Sequence, residues 1–485
     1  MCLPLLLCLL FAFPCLAAFP LVRAITVEGS TRTRADTILR EVLLEVGQPC
    51  DSALVAESER NLRRLPFLGK VHLHTRPAAN GVEVVVEVED LYSRALSPLL
   101  SGQLDELSYG VVALDYNLGG RGQFAQLTLH HRAIGGDQAA LLFANPRLGG
   151  SPHRLDGEAA WSTEGHDLAG TLSRPFLSLA QPWAYGLSLY DEEQVERLWQ
   201  AGTLSARYRH ASRGGSLWLS RSLGSAIKIR PSFRLSFSDQ HYRASAGFAY
   251  APPGRRRLVP SLGLTLWQPR YRQEHYLQQL GRTEDLQVGS WLSLRAGLAW
   301  RGLPQRRSYA PLTLQLSPRW VLGAHTYLWA TILASVQARP GTYQELNLLG
   351  ELLAYQRLGE CHWLALRLRA EAITRPESRA QFLLGADSGL RGVLPRRFAG
   401  QRRLIGNLEL RPTVHRRASW VLAGALFADA GAAWSGSLPR LETTAGAGVR
   451  LGLPRLYNSP VLRADLARPL SRGAWLLSVG LGQYF

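Results

Sequence analysis

From residue 91 onward the chain is written in a two-residue rhythm. Leu312, Leu314 and Leu316 alternate with Thr313, Gln315 and Ser317, and Leu364, Leu366 and Leu368 with Ala365, Arg367 and Arg369. Leu404, Gly406, Leu408 and Leu410 alternate with Ile405, Asn407, Glu409 and Arg411. Successive strand residues point to opposite faces, so each segment has one apolar and one polar side. A helix would smear the same leucines and arginines around its circumference. Segments of this kind, broken by Gly, Pro, Arg, Asp and Ser clusters, recur over nearly four hundred residues. That is the pattern of an antiparallel transmembrane β-barrel, with the apolar set toward lipid and the polar set toward a wet interior. A soluble sandwich would also alternate, but without so much arginine opposite leucine. The last segment places Trp475, Leu477, Val479, Leu481 and Phe485 on one face, and Ser478, Gly480 and Gly482 on the other.

Residues 19–90 follow another grammar. The pattern predicts a strand at 22–27, ended by Gly29 and Ser30, then a helix at 33–44 with Ile38, Val42 and Leu43 on one side. Gly47 and Pro49 stop that helix, and Asp51 or Ser52 caps a second one running to about Arg64. Strands at 69–75 and 82–89 follow, joined through Asn80-Gly81, a hairpin pair. The order is βααββ, a small α+β module. It carries nine basic and eleven acidic side chains, so the chain's excess of +18 lies wholly beyond it. Residues 91–105 read as a linker, and 106–485 as the barrel.

Composition narrows the compartment. The chain is 46% hydrophobic and 19% charged, which excludes disorder. Beyond residue 18 no stretch is long and apolar enough for a spanning helix. Residues 1–18, MCLPLLLCLLFAFPCLAA, read as an export signal cleaved after Ala17 or Ala18, although no basic residue precedes the apolar run. Cys2, Cys8 and Cys15 would leave with it, and Cys50 and Cys361 would remain in different domains.

These residues carry a family resemblance. The 19–90 module, with Leu65-Pro66-Phe67-Leu68-Gly69-Lys70-Val71, resembles a POTRA domain of the BamA/TamA superfamily. Residues 109–123 (YGVVALDYNLGGRGQ) resemble that family's first barrel hairpin. GADSGLRG at 385–392, Phe398 and Asn407-Leu408-Glu409-Leu410-Arg411 resemble its long sixth loop and the strand after it. Phe427-Ala428-Asp429-Ala430-Gly431 resembles its Phe-x-Asp-x-Gly strand, residues 446–450 the next strand, and Phe485 its terminal aromatic. The resemblance implies a barrel of about sixteen strands behind one POTRA domain. It also implies that Arg391, beside Gly392, pairs with Asp429 inside the barrel. Asp429 shares parity with Phe427 and Gly431, which turns it to the lumen, where arginine offers a bidentate partner. Spacing alone leaves Arg391 as an ordinary loop arginine and Asp429 as one lumen residue among many. The ordered motifs favour the pair.

Enzyme signatures are absent: no Gly-x-Ser-x-Gly, His-Glu-x-x-His, Walker loop or Cys-x-x-Cys occurs. Gly119-Gly120-Arg121-Gly122 reads as a hairpin turn. His130 and His131 face opposite sides, so they cannot share a metal, and Asp191-Glu192-Glu193 reads as a solvated loop. No cofactor is implied. The arginines are too dispersed for nucleic acid, and suit the lumen and the phosphates of outer-membrane lipid and lipopolysaccharide. The resemblance implies a factor of the bacterial outer membrane, with its POTRA domain in the periplasm. It would insert or translocate unfolded outer-membrane or secreted polypeptides, with accessory periplasmic proteins as possible partners. One POTRA domain, where general assembly factors carry several, favours a specialised factor. Two sheet edges would serve it: the POTRA strand Val71, His72, Leu73, His74 and Thr75, and a barrel seam. The seam would join the strand near 107–116, with Tyr109, Gly110 and Val111, to the strand ending at Phe485. Gly473, Gly480 and Gly482 would weaken that strand, or simply smooth its curvature. A passive porin-like channel and a dedicated secretion pore for one partner are the alternatives.

Overall fold

The computed structural model describes residues 19–103, 106–200, 202–301, 308–376 and 378–485, with the side chains of 100–106 and 301 left aside. The export segment lies outside the described residues. The chain forms two compact units that divide after Asp90.

In the first unit β1 (Val22–Glu28) pairs parallel with β3 (Gly81–Asp90), and β2 (Leu68–Ala78) pairs antiparallel with β3, in the order β1-β3-β2. Two helices, α1 (Ala35–Leu39) and α2 (Ser52–Arg63), precede the hairpin, and Asp51 caps α2 by accepting from the N–H of Ala53 at 2.8 Å. Val22, Ile38, Leu62, Phe67, Leu68, Val84 and Val86 form the buried apolar set. The first helix is shorter than the 33–44 that periodicity predicts. Past Leu39 the chain unwinds, Leu43 donates its N–H to the Ser58 hydroxyl at 2.9 Å, and Leu44 enters the core. A tertiary contact outweighs helical spacing there.

The second unit is a closed antiparallel barrel. Among the described residues its wall has twenty-three strand segments. Three pairs of these continue one another across a break: Trp291–Gly297 with Trp300–Arg301, Ala310–Ser317 with Arg319–Leu322, and Arg402–Arg411 with Thr413–Arg416. Pro318 and Pro412 mark two of the breaks. Among the described residues the wall therefore makes twenty traverses, not the sixteen implied by resemblance. The expected linker at 91–105 is also corrected, because its greater part is the first barrel strand, β4 (Arg94–Gln103), paired over ten residues with β5 (Glu106–Leu118). Pro98 disguised it; proline is tolerated in a strand that is fully paired on one side only. Asp191-Glu192-Glu193 lies mid-strand in Trp183–Gln200 rather than in a loop.

Parity sorts the barrel as the sequence pattern requires. Leu187, Leu217, Phe233, Leu262 and Leu408 are exposed on the outside, while Trp363, Ile405 and Asp429 are buried within. Exposed tryptophans stand at both rims: Trp183, Trp320 and Trp420 at the mouth where residue 91 enters (the near mouth), and Trp161, Trp300 and Trp475 at the far mouth. An apolar band between two aromatic girdles is the surface a bilayer selects. Among the described residues no helix is long and apolar enough to cross a membrane.

Candidate functional site

Residues 375–401, between strands His362–Thr374 and Arg402–Arg411, leave the far rim, form a hairpin (Phe382–Leu384 with Phe398–Gly400) and place their tip inside the barrel. Leu384, Leu390 and Val393 pack on Ile405 and Ala433 of the inner wall. At Gly392, with φ +78°, a Cβ would lie 2.8 Å from the Arg468 nitrogen, so a side chain there would push the tip off the wall. Its neighbour Arg391 has no exposed surface. The guanidinium donates to both oxygens of Asp429, Nε at 2.8 Å and Nη2 at 2.9 Å, and through Nη1 to Glu409 at 2.6 Å. It lies between the Phe427 ring at 3.4 Å and the Tyr484 ring at 4.0 Å. Gly431 is on the same strand, close to Leu384 of the loop hairpin.

The pair belongs to a larger buried network that sequence reading missed. Glu409 also accepts from Arg411 Nε at 2.8 Å and lies 3.5 Å from Arg450. Arg450 donates to Asp465 at 2.6 Å, and Asn407 to Asp429 at 2.9 Å and to the Gly389 carbonyl at 3.0 Å. Inward parity marks Asn407, Glu409, Arg411 and Asp465 as lumen residues, but alternation cannot say which of them meet. In a poorly screened interior each charge depends on its neighbours.

A second inward element lies at the near mouth. The connection between strands Arg255–Trp267 and Trp291–Gly297 forms a hairpin, Tyr271–His275 with Thr283–Gln287, whose apolar side enters the lumen. Leu277 and Leu286 pack with Tyr327, Trp329, Tyr355 and Trp363, and Leu280 with Val421, Ala423 and Val461. Glu284 accepts the N–H groups of Leu277, Gln278 and Gln279 at 3.0–3.1 Å, and Glu274 meets Tyr327 at 2.5 Å and Arg357 at 3.1 Å. Arg411 joins three parts of the chain. It donates to Glu409, to the Leu277 carbonyl of this hairpin at 3.3 Å, and to the Phe485 carbonyl at 2.9 Å.

That last contact corrects the placement of Phe485. The final strand, Leu476–Leu481, ends four residues earlier; Gly482, with φ +79°, turns the chain inward, and Phe485 sits in the lumen with its ring 5.0 Å from Arg411. The seam is corrected too. The strand facing Leu476–Leu481 is β4, bridged among the described residues through one pair, Val479 with Gly102, against six pairs on its other side. Tyr109, Gly110 and Val111 lie one strand further in, on β5, opposite residues 100, 99 and 98. Gly480 lets the Arg463 guanidinium lie against the last strand, where a Cβ would be 2.7 Å from it.

In the first unit Val71, His72, Leu73, His74 and Thr75 fall on β2, an outer strand of the sheet. That edge is partly occupied. The Leu73 N–H donates to the Glu59 carboxylate of α2 at 2.7 Å, His72 lies 3.3 Å from the same group, and Pro77 offers no donor. Cys50 and Cys361 are free and buried, and no group of side chains among the described residues could hold a metal ion.

The POTRA family model, described as a surface antigen variable number repeat, matches residues 20–90. BamA from Haemophilus ducreyi lacking POTRA domains 1–3 aligns at TM-score 0.43 and 14% identity, over 96% of this chain and 85% of that one. CdiB from Acinetobacter baumannii aligns at 0.45 and 14%, over 96% and 74%. The siderophore receptor PirA from Pseudomonas aeruginosa aligns at 0.38 and 10%, over 93% and 96%. No curated protein matches the chain.

Proposed function

With one POTRA domain preceding a closed antiparallel barrel the chain is BamA/TamA-like in build, and we propose that it inserts or translocates polypeptides at a bacterial outer membrane, the POTRA domain in the periplasm. The observation that carries this reading is the seam. A barrel in lipid satisfies its backbone by pairing all round, and each unpaired group costs several kcal/mol. A wall whose closing strand is bridged, among the described residues, through the single pair Val479 and Gly102, while neighbouring strands pair over six to ten residues, is built to part there. An incoming strand can then pair with the exposed edge of β4, with chain folding and lipid burial as the driving force and no hydrolysis. The lumen argues against the passive-channel alternative, because loop 375–401 and hairpin 271–287 both enter it and pack on its inner wall. Arg391, Gly392, Asp429, Phe427 and Gly431 anchor that loop in this reading. The POTRA edge acts as a receptor once Glu59 yields the Leu73 N–H to an incoming carbonyl. Lipid phosphates and accessory periplasmic proteins remain its proposed partners.

The test locks the seam. Gly102→Cys with Val479→Cys, in a Cys50→Ser, Cys361→Ser background, should stop outer-membrane assembly or secretion when oxidised and restore it on reduction. A barrel shown to be cross-linked that still supports normal outer-membrane composition and secretion would return the passive channel to first place.

A further inference from the structure

Inside the barrel, behind the seam, lies a chamber of about 710 Å³. The first strands contribute Ser108, His130 and Arg132, the last contributes Ser478, and the inserted loop closes another side with Asp387 and Ser388. Six arginines reach its wall: Arg132, Arg367, Arg369, Arg396, Arg403 and Arg463. Among the described lining residues Asp387 alone brings a carboxylate, and it lies 4.0 Å from Arg396.

The carboxylates behind the wall do not balance these charges. Arg367 and Arg369 share Glu351, at 2.9 and 3.5 Å, and Arg369 and Arg403 share Glu371, at 2.6 Å each. Three guanidinium groups thus stand on two glutamates. Arg463 lies 3.4 Å from Asp465, but that carboxylate already takes Arg450 at 2.6 Å and has Arg391 at 3.7 Å. Arg132 donates to the neutral amide oxygen of Gln138 at 2.5 Å and has no carboxylate partner among the described residues. The buried Nε groups of Arg132 and Arg369 meet no acceptor, and that of Arg463 comes no closer than 3.4 Å to Asp465. A surplus of cation held in a poorly screened lumen, with N–H groups left over, requires an anion. Guanidinium groups converging from several directions suit a planar or tetrahedral oxyanion.

We propose that this chamber is an oxyanion site, with Arg132, Arg463 and the Arg367, Arg369 and Arg403 group as its donors. The same chemistry is offered by a carboxylate on a polypeptide lying in the lumen and by a free phosphate. The site is independent of whether the seam opens: failure of the locked-seam experiment leaves it standing, and its own failure leaves the seam reading untouched.

Two probes test it on the full chain in detergent: inorganic phosphate, and an acidic peptide compared with its glutamine- and amide-substituted counterpart. Calorimetric titration at low ionic strength should show phosphate binding that salt weakens. Arg132→Gln and Arg463→Gln should each weaken it at least tenfold, and Arg132→Lys should keep most of it. Arg243→Gln, on strand Lys228–Ala244 and away from the chamber, should change nothing. Resistance of the folded band to detergent before heating confirms that each variant is intact, and the lysine variant covers the case where Arg132→Gln does not fold. Competition of the acidic peptide with phosphate, under the same arginine dependence, identifies a polypeptide carboxylate as the source. Arginine-dependent phosphate binding without peptide competition identifies a free anion. Binding of neither probe, or binding that all the arginine variants leave unchanged, overturns the proposal.

Discussion

In the POTRA unit the Asp90 carboxylate closes the fold at the margin of an apolar core, taking the N–H groups of Thr31 and Arg32 at 2.7 Å each. In the barrel the carboxylate of Glu409 is fully buried among three arginines, while leucine faces outward. The first unit was shaped by water and puts Leu62 and Val86 inside. The second was shaped by lipid and turns the same pattern inside out. Asp90 is held by backbone N–H groups and the Thr33 hydroxyl at a wet boundary. Glu409 in the lumen is held by other charges, so no member of its network is separable from the rest. The difference assigns each unit its failure mode: the POTRA unit by loss of apolar packing, the barrel interior by loss of one ion.

The largest effect should come from Glu409→Ala. It strands Arg391, Arg411 and Arg450 around one missing anion and should cost on the order of 3–5 kcal/mol, as removing one partner of a buried pair does. The folded band should soften on mild heating, and loop 375–401 should become open to external protease. Glu158→Ala, an inward carboxylate on Arg154–Ser162 with no arginine partner among the described residues, should stay within about 0.5 kcal/mol. Equal losses in the two variants would break the contrast.

The same leucine substitution should read differently in the two units. Leu62→Ala empties a fully buried site and should destabilise the POTRA unit by about 3 kcal/mol, seen as faster proteolytic nicking in urea. Leu262→Ala, 68% exposed on the barrel wall, leaves no cavity in the protein and should shift the folded band by about 1 kcal/mol or less. Gly392→Ala ranks next. Positive φ and a Cβ 2.8 Å from the Arg468 nitrogen should cost about 2 kcal/mol and loosen the loop tip, with the barrel still folded. A loop as protease-resistant as before would show that the tip adjusts around the methyl group.

Much of this division is readable in the chain. Alternation placed Arg367, Arg369, Asn407, Glu409 and Arg411 in the lumen, because side-chain parity is local. What it could not convey is which of them meet. Arg391 and Glu409 are eighteen residues apart, Arg411 and Leu277 more than a hundred, and their contact depends on strand number and stagger. The extra traverses were lost for the same reason, since a pattern of short segments does not count them. β4 was hidden by Pro98, and the hairpin at 271–287 by its short strands. Phe485 was misplaced because one glycine with positive φ ends the alternation that the outward assignment assumed. The Glu59 contact that covers the Leu73 donor was equally invisible, being a helix reaching across to a strand edge.

The smallest effect separates the two kinds of carboxylate by pH. Burial works to raise the Asp90 pKa, but the Thr33 hydroxyl and the N–H groups of Arg32, Thr31 and Thr33 outweigh it and hold the group below its ordinary value. A carboxylate with a depressed folded-state pKa stabilises the fold fully above its unfolded value, near 4, and loses that contribution as pH falls through the folded one. Asp90 is partly exposed, so the contribution is modest, about 1 kcal/mol at neutral pH. Asp90→Ala should therefore lower the urea midpoint of POTRA nicking at pH 7, and the gap from the parent chain should narrow as the pH is taken below about 4, where protonation removes what the mutation removes. A gap of constant size from pH 7 to pH 3 would mean that the Asp90 charge contributes nothing, and that its role is to fill space beside Thr31 and Thr33. The POTRA unit would then resist acid as its apolar core does, and the contrast with the barrel would rest on packing alone.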